Sequence, residues 1–268
     1  MNIPIGIANS VSANFGYDPL DAIQFAIQSN FSIIQIYLPE SIVNDRAQLN
    51  RIRQLLLSEP NLIPYLHADG YLDGEFVERA YTRLLFEFAA ELNNSRVIIH
   101  FDESTPLEEI LKSIERLAQY ESPVLLENYF QKSGQENAEK NIRKYMAIFT
   151  LANSRGGAVS LFPVLDLPRF FHKNLQMEND QALQWCYQLF NYFGNRQIPV
   201  LLHLIDCREA SQERRGYCPI GEGYLPYQEI FSFIKKTAPT IEGIILEYED
   251  KINPLKSREN LLSLLKRE

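Results

Sequence analysis

The chain has 268 residues, 46% of them apolar and 22% charged, a balance that fills one large core and excludes a disordered or low-complexity polymer. Acidic residues (34) outnumber basic ones (26), for a net charge of −8; an acidic chain repels a phosphate backbone, so a nucleic-acid partner is not expected. No apolar run reaches the ~18 residues of a membrane span. The first residues lack the charged and apolar regions of a signal peptide, and three cysteines, Cys186, Cys207 and Cys218, fit neither a disulfide framework nor a zinc framework. A cytoplasmic protein is expected.

Short apolar runs alternate with longer amphipathic segments along the whole chain. Ile3–Ala8 reads as a strand, and Asp18 caps a helix opening at Pro19. Ser32–Leu38 is a β-branched and aromatic strand, and Asp45–Leu57 has apolar residues at helical spacing. Leu62–His67 and Glu75–Leu92 repeat the strand–helix pair, as do Arg96–Phe101 and Pro106–Tyr120, the latter capped by Thr105 with Glu108 in a capping box. Val124–Glu127 precedes a helix near Ala138–Asn153 that ends at Gly156 and Gly157. Leu161–Asp166, a helix near Asp180–Phe193, and Pro199–Leu204 follow. Tyr227–Lys236, Ile244–Glu247 and a closing helix at Pro254–Lys266 complete the series.

Eight strands alternating with eight helices imply a parallel sheet with helices outside it. In about this length the eight units close into a single-domain (β/α)8 TIM barrel spanning residues 1–268. An open doubly wound sheet would call for a glycine-rich turn after the first strand, and Ala8-Asn9-Ser10-Val11 is not one.

Barrel strands are buried on both faces, so ionisable residues at their C-terminal ends mark the catalytic rim. Six strands carry one: His67, His100, Glu127, Asp166, His203 and Glu247. Clustered carboxylates without a cation repel one another, and a divalent ion removes that cost. Glu127, Asp166, His203 and Glu247 offer three oxygens and one imidazole nitrogen, a donor set for one Mn²⁺, Mg²⁺, Co²⁺ or Zn²⁺.

The segments Val124-Leu-Leu-Glu-Asn128, Pro163-Val-Leu-Asp166, Leu201-Leu-His-Leu-Ile-Asp206, Gly221-Glu-Gly223 and Ile244-Ile-Leu-Glu247 resemble the xylose isomerase-like TIM barrels, the sugar phosphate isomerase/epimerase group. The order Glu, Asp, His, Glu over strands five to eight is similar to that family's single-metal site. The resemblance implies a metal-dependent isomerase or epimerase acting on a sugar-like polyol or keto acid. Glu127 and Glu247 then become the acid/base pair around an enediolate, and Asp166 and His203 complete the coordination. It also leaves room for a homodimer.

Around that set, His67 and His100 are expected to meet substrate hydroxyls, and Asn128 to orient a ligand. Arg169 stands where the family often has His, and its planar fork suits a substrate carboxylate or phosphate; the nearest histidine is His172. Arg208 fits the place of a substrate-binding Arg, and Gln35 lies where the family often has Glu. Tyr37, Phe101, Tyr129 and Phe130 are candidate pocket walls, and Asp206–Tyr224 is a candidate lid.

Two other functions fit the same barrel. Endonuclease IV relatives share the strand-three and strand-four histidines, but Arg169 and the Gly216-Tyr217-Cys218 stretch replace ligands of their three-zinc site. A barrel that binds a metabolite without turnover, as an accessory protein in a biosynthetic cluster, is the other.

Overall fold

The computed structural model describes residues 3–101, 103–129, 135–154 and 160–266. Eight parallel strands close a barrel: β1 (Ile5–Ala8), β2 (Ile33–Leu38), β3 (Ile63–Tyr71), β4 (Arg96–His100), β5 (Val124–Glu127), β6 (Leu161–Asp166), β7 (Val200–Leu204) and β8 (Ile241–Leu246), with β8 hydrogen-bonded to β1. Closure leaves no sheet edge exposed. β1 approaches β2 so closely at Gly6 that a Cβ there would lie 2.3 Å from the Ile33 Cβ.

The long helices pack outside: α1 (Pro19–Gln28), α2 (Arg46–Leu57), α3 (Ala80–Glu91), α4 (Leu107–Leu117), α5 (Gln135–Ser154), α6 (Asn179–Asn195), α7 (Tyr227–Thr237) and α8 (Asn253–Lys266). Asp18 caps α1 by accepting the Leu20 N–H, with Pro19 in the first turn. None of these helices is long and apolar enough to cross a membrane.

Several local expectations are corrected. The segment expected as one helix over Glu75–Leu92 is two, Gly74–Glu78 and α3, because Arg79 between them is extended (φ −67°, ψ 142°). The Arg79 guanidinium pairs with Glu40 from beyond β2. Thr105 is not the cap of α4; Pro106 holds that position with extended ψ and no side-chain cap bond. β3 runs past His67 to Tyr71 after an irregularity at Gly70, whose φ of +147° suits glycine. Short 3-10 turns, Asn9–Phe15 and Leu167–Phe171, follow β1 and β6. Gly156 and Gly157 lie outside the described residues.

The core has two parts. Ile7, Ile34, Ile99, Leu126, Leu165 and their neighbours face outward against the helices. The barrel interior is filled by one residue from each strand: Ala8, Ile33, Tyr65, Ile98, Leu125, Val164, Leu201 and Ile245. Side chains two positions apart on a strand share a face. Gln35, His67, His100, Glu127, Asp166, His203 and Glu247 each sit two residues beyond one of these interior residues. They form the next layer, at the C-terminal mouth.

Candidate active site

The geometry centres on Glu127. Its Oε2 lies 3.1 Å from His67 Nε2, 3.3 Å from His203 Nδ1 and 3.8 Å from His100 Nε2. Glu247 Oε1 lies 3.2 Å from His203 Nδ1 and accepts a 2.7 Å hydrogen bond from Gln35 Nε2. Two groups of residues bring donor atoms within 4.8 Å of one another: Glu127, His203 and Glu247, and His67, His100 and Glu127.

Asp166 belongs to neither group. Its Oδ2 accepts a 2.8 Å bond from Arg169 Nε, an i,i+3 pairing made across the Leu167–Phe171 turn. Asn128 touches Asp166 through its backbone, accepting the Asp166 N–H at 2.7 Å and donating to the Asp166 carbonyl at 3.2 Å. It therefore fixes the end of β6 beside β5, rather than reaching into the cavity.

Burial and charge set the electrostatics. Burial depresses His203, but the Glu247 and Glu127 carboxylates outweigh it and raise the ring well above the usual histidine value. Burial raises Glu127, and the His203 and His100 charges more than reverse this. His100 is pushed down to about 4 by burial, which Glu127 opposes. Asp166 is raised to about 7 by burial, against the pull of Arg169.

Two details fit a cation among these side chains. His203 Nδ1 and Nε2 are buried without a hydrogen-bond partner, although two carboxylates lie within 3.3 Å of Nδ1. Both His67 nitrogens face oxygens, Nδ1 the Ala68 carbonyl at 3.0 Å and Nε2 the Glu127 carboxylate at 3.1 Å, so Nε2 joins the donor atoms gathered on Glu127.

Above this layer lies a cavity of about 310 Å³, lined by Glu127, Glu247, His67, His100 and Arg169 with Tyr17, Tyr37 and Tyr129 at its mouth. A second cavity of about 170 Å³ adjoins it at Glu247 and Arg169 and is lined by Asp166, His172, Gln212 and Tyr217. The Tyr129 ring stacks on His100 (4.5 Å between centroids) and on the Arg169 guanidinium (3.9 Å).

Other expected residues fall elsewhere. Arg208 is exposed and lines neither cavity. Phe101 is fully buried against Tyr145 and lines neither of these two cavities. Phe130 lies outside the described residues. Residues Asp206–Tyr224 are a built structure: Asp206–Cys207 pairs with Tyr217–Cys218 in a two-stranded antiparallel ribbon. The Tyr248 hydroxyl joins this ribbon to the end of β8, accepting the Asp206 N–H and donating to the Cys218 carbonyl.

Gln35, which the sequence places where the resembled family often has Glu, holds Glu247. One participant was missed in the sequence. Glu249 lines the main cavity two residues beyond Glu247, with no signal that sets it apart from surface glutamates.

No protein-family model and no curated protein matches the chain. Solved structures do match over nearly all of it. A 3-keto-D-glucoside 4-epimerase from E. coli aligns at TM-score 0.58 and 13% identity over 98% of this chain and 99% of its own. A xylose isomerase domain protein from Planctomyces limnophilus aligns at 0.60 and 13% over 98% and 97%. The IolI protein, with a bound zinc atom, aligns at 0.62 and 11% over 98% of both chains. At these identities the likeness is one of fold, and the chain shares the (β/α)8 TIM-barrel fold of these proteins.

Proposed function

We propose that this protein is a divalent-metal-dependent isomerase or epimerase of a sugar-like substrate, working by proton transfer beside a carbonyl. The observation that carries the reading is the convergence of Glu127, His203 and Glu247 in one layer above the closed barrel interior. The similar folds of a 3-keto-D-glucoside 4-epimerase and of a zinc-bound protein support it.

Glu127, His203 and Glu247 would hold the ion, with Asp166 completing the set through the oxygen that Arg169 does not engage. Two or three carboxylate oxygens and one imidazole suit Mn²⁺, Mg²⁺, Co²⁺ or Zn²⁺. Such an ion, when bound, acts as a Lewis acid toward charge developing on a substrate oxygen.

The protein's own groups move the proton. Both glutamates line the main cavity. Glu247 has 26% of its side chain exposed against 3% for Glu127, and Gln35 fixes its carboxylate. One glutamate removes the proton from the carbon next to the carbonyl; the electron pair of that C–H bond forms the carbon–carbon double bond and the carbonyl π pair moves onto oxygen, giving an enediolate. The other glutamate returns a proton. Return to the former carbonyl carbon, with the proton of the adjacent hydroxyl passing to the former carbonyl oxygen, isomerises the substrate; return to the opposite face of the original carbon inverts it. His100 lines the cavity beside the reacting region, where it orients a hydroxyl, and His67, engaged by the Ala68 carbonyl and by Glu127, positions the Glu127 carboxylate.

Hydrogen exchange in heavy water tests this. The metal-loaded protein, incubated with a panel of ketopentoses, ketohexoses, 3-keto-glycosides and keto-inositols, is expected to place one deuterium next to the carbonyl of at least one member, read by NMR. Absence of exchange across the panel in protein shown to hold its ion would sink the reading.

A further inference from the structure

We propose that the site takes an uncharged sugar-like substrate and rejects phosphate esters. The inference rests on the enzymatic reading above and narrows its substrate class.

The first argument is charge. Glu127, Glu247 and Glu249 line the main cavity, and Asp166 lines its neighbour. Among the described residues, Arg169 is the one permanent cation lining either. Its Nε–H is given to Asp166, and its plane lies 3.9 Å from the centroid of the Tyr129 ring. His172, the other basic group of the smaller cavity, is pushed further from protonation by burial and by Arg169. With one divalent ion bound, its two charges and that of Arg169 are balanced by Glu127, Glu247 and Asp166, and Glu249 is paired with Arg214 at 3.6 Å. A phosphate dianion would meet no uncompensated positive charge among the described lining residues.

The second argument concerns where a barrel of this type holds phosphate. The loops after the seventh and eighth strands commonly present backbone N–H groups to it. Here the glycine loop after β7 is turned on the chain's own anion. Asp206 Oδ2 accepts the N–H groups of Gly221 (2.8 Å) and Gly223 (3.0 Å), and Oδ1 accepts that of Cys207 (2.8 Å). A Cβ at position 223 would fall 2.0 Å from Asp206 Oδ1, so glycine is required there by this internal carboxylate. The nest that would cradle phosphate is filled by the buried Asp206 carboxylate.

The third argument is what the mouth offers instead. Tyr17 and Tyr37 are 46% and 37% exposed and line the main cavity together with Tyr129. Flat aromatic faces take the C–H faces of a neutral sugar ring and gain nothing from a phosphate.

The test compares matched pairs in the heavy-water exchange assay: D-fructose with D-fructose 6-phosphate, D-ribulose with D-ribulose 5-phosphate, and methyl 3-keto-glucoside with its 6-phosphate. In each pair that exchanges, kcat/KM is expected to favour the free sugar at least about tenfold. A pair in which the phosphate ester is preferred overturns the proposal and leaves the proton-transfer reading standing. If no pair exchanges, the wider panel decides that reading, and inorganic phosphate titrated calorimetrically into the same protein decides the charge argument alone. No saturable binding tighter than about 1 mM is expected; binding tighter than that overturns the proposal.

Discussion

Glu247→Gln is expected to lower kcat for carbon–hydrogen exchange by about 10²–10⁴-fold, the usual contribution of a positioned general acid or base. The amide keeps the shape of the side chain and still offers an oxygen to Gln35 Nε2, which now bonds Oε1 at 2.7 Å. It no longer accepts a proton. Because the side chain is partly exposed at the cavity, the substitution leaves the packed layer beneath it intact. Melting temperature is therefore expected to stay close to wild type while exchange collapses. Glu127→Gln should lose as much activity and also stability, since the buried Glu127 Oε2 is the common neighbour of His67, His203 and His100. A Glu247→Gln protein exchanging within about threefold of wild type would remove Glu247 from the proton-transfer step.

Asp206→Ala is the substitution expected to cost most in stability outside the barrel interior. Asp206 is fully buried, and its loss strands the N–H groups of Cys207, Gly221 and Gly223. An unsatisfied buried donor costs about 1–3 kcal/mol; Cys207 is buried, whereas Gly221 is exposed and Gly223 half-buried and water can reach their N–H groups, so a loss of about 1–3 kcal/mol is expected. At about 2–4 °C per kcal/mol for a chain of this size, that is a drop in Tm of roughly 2–12 °C. Gly223→Ala should disturb the same loop, because its Cβ would meet Asp206 Oδ1 and the Cys207 carbonyl. The double variant should then be less destabilised than the sum of the two single variants. Denaturant unfolding of the three proteins measures this. Full additivity, or a loss below about 1 kcal/mol for Asp206→Ala, would show that the cradle does not hold the loop.

The layer of polar residues was legible because the barrel imposes a period of two. His67, His100, Glu127, Asp166, His203 and Glu247 each follow a buried interior residue by two positions. A strand apolar on both faces up to that point leaves the polar residue conspicuous. What neighbouring elements decide was not legible. Asp166 is in the expected layer, yet the 3-10 turn after β6 brings Arg169 to it, a pairing that strand periodicity does not show. The Gly221–Gly223 pair is visible as a motif, but its partner, Asp206, becomes evident only when the ribbon folds. The extended Arg79 splits a segment whose apolar spacing is helical throughout, and its partner Glu40 lies far away in sequence. Arg208 had the residue type for a substrate contact but projects to solvent.

The central claim is that Glu127, His203 and Glu247 form the centre of a single-ion site. Elemental mass spectrometry on the purified protein and on His203→Ala, each loaded in parallel with Mn²⁺, Co²⁺ or Zn²⁺ and freed of excess metal, tests it most directly. The account predicts close to one divalent ion per wild-type chain and almost none in His203→Ala, with circular dichroism showing both proteins folded. No bound ion in the wild type, equal content in the variant, or a stoichiometry of two or three ions per chain would contradict it.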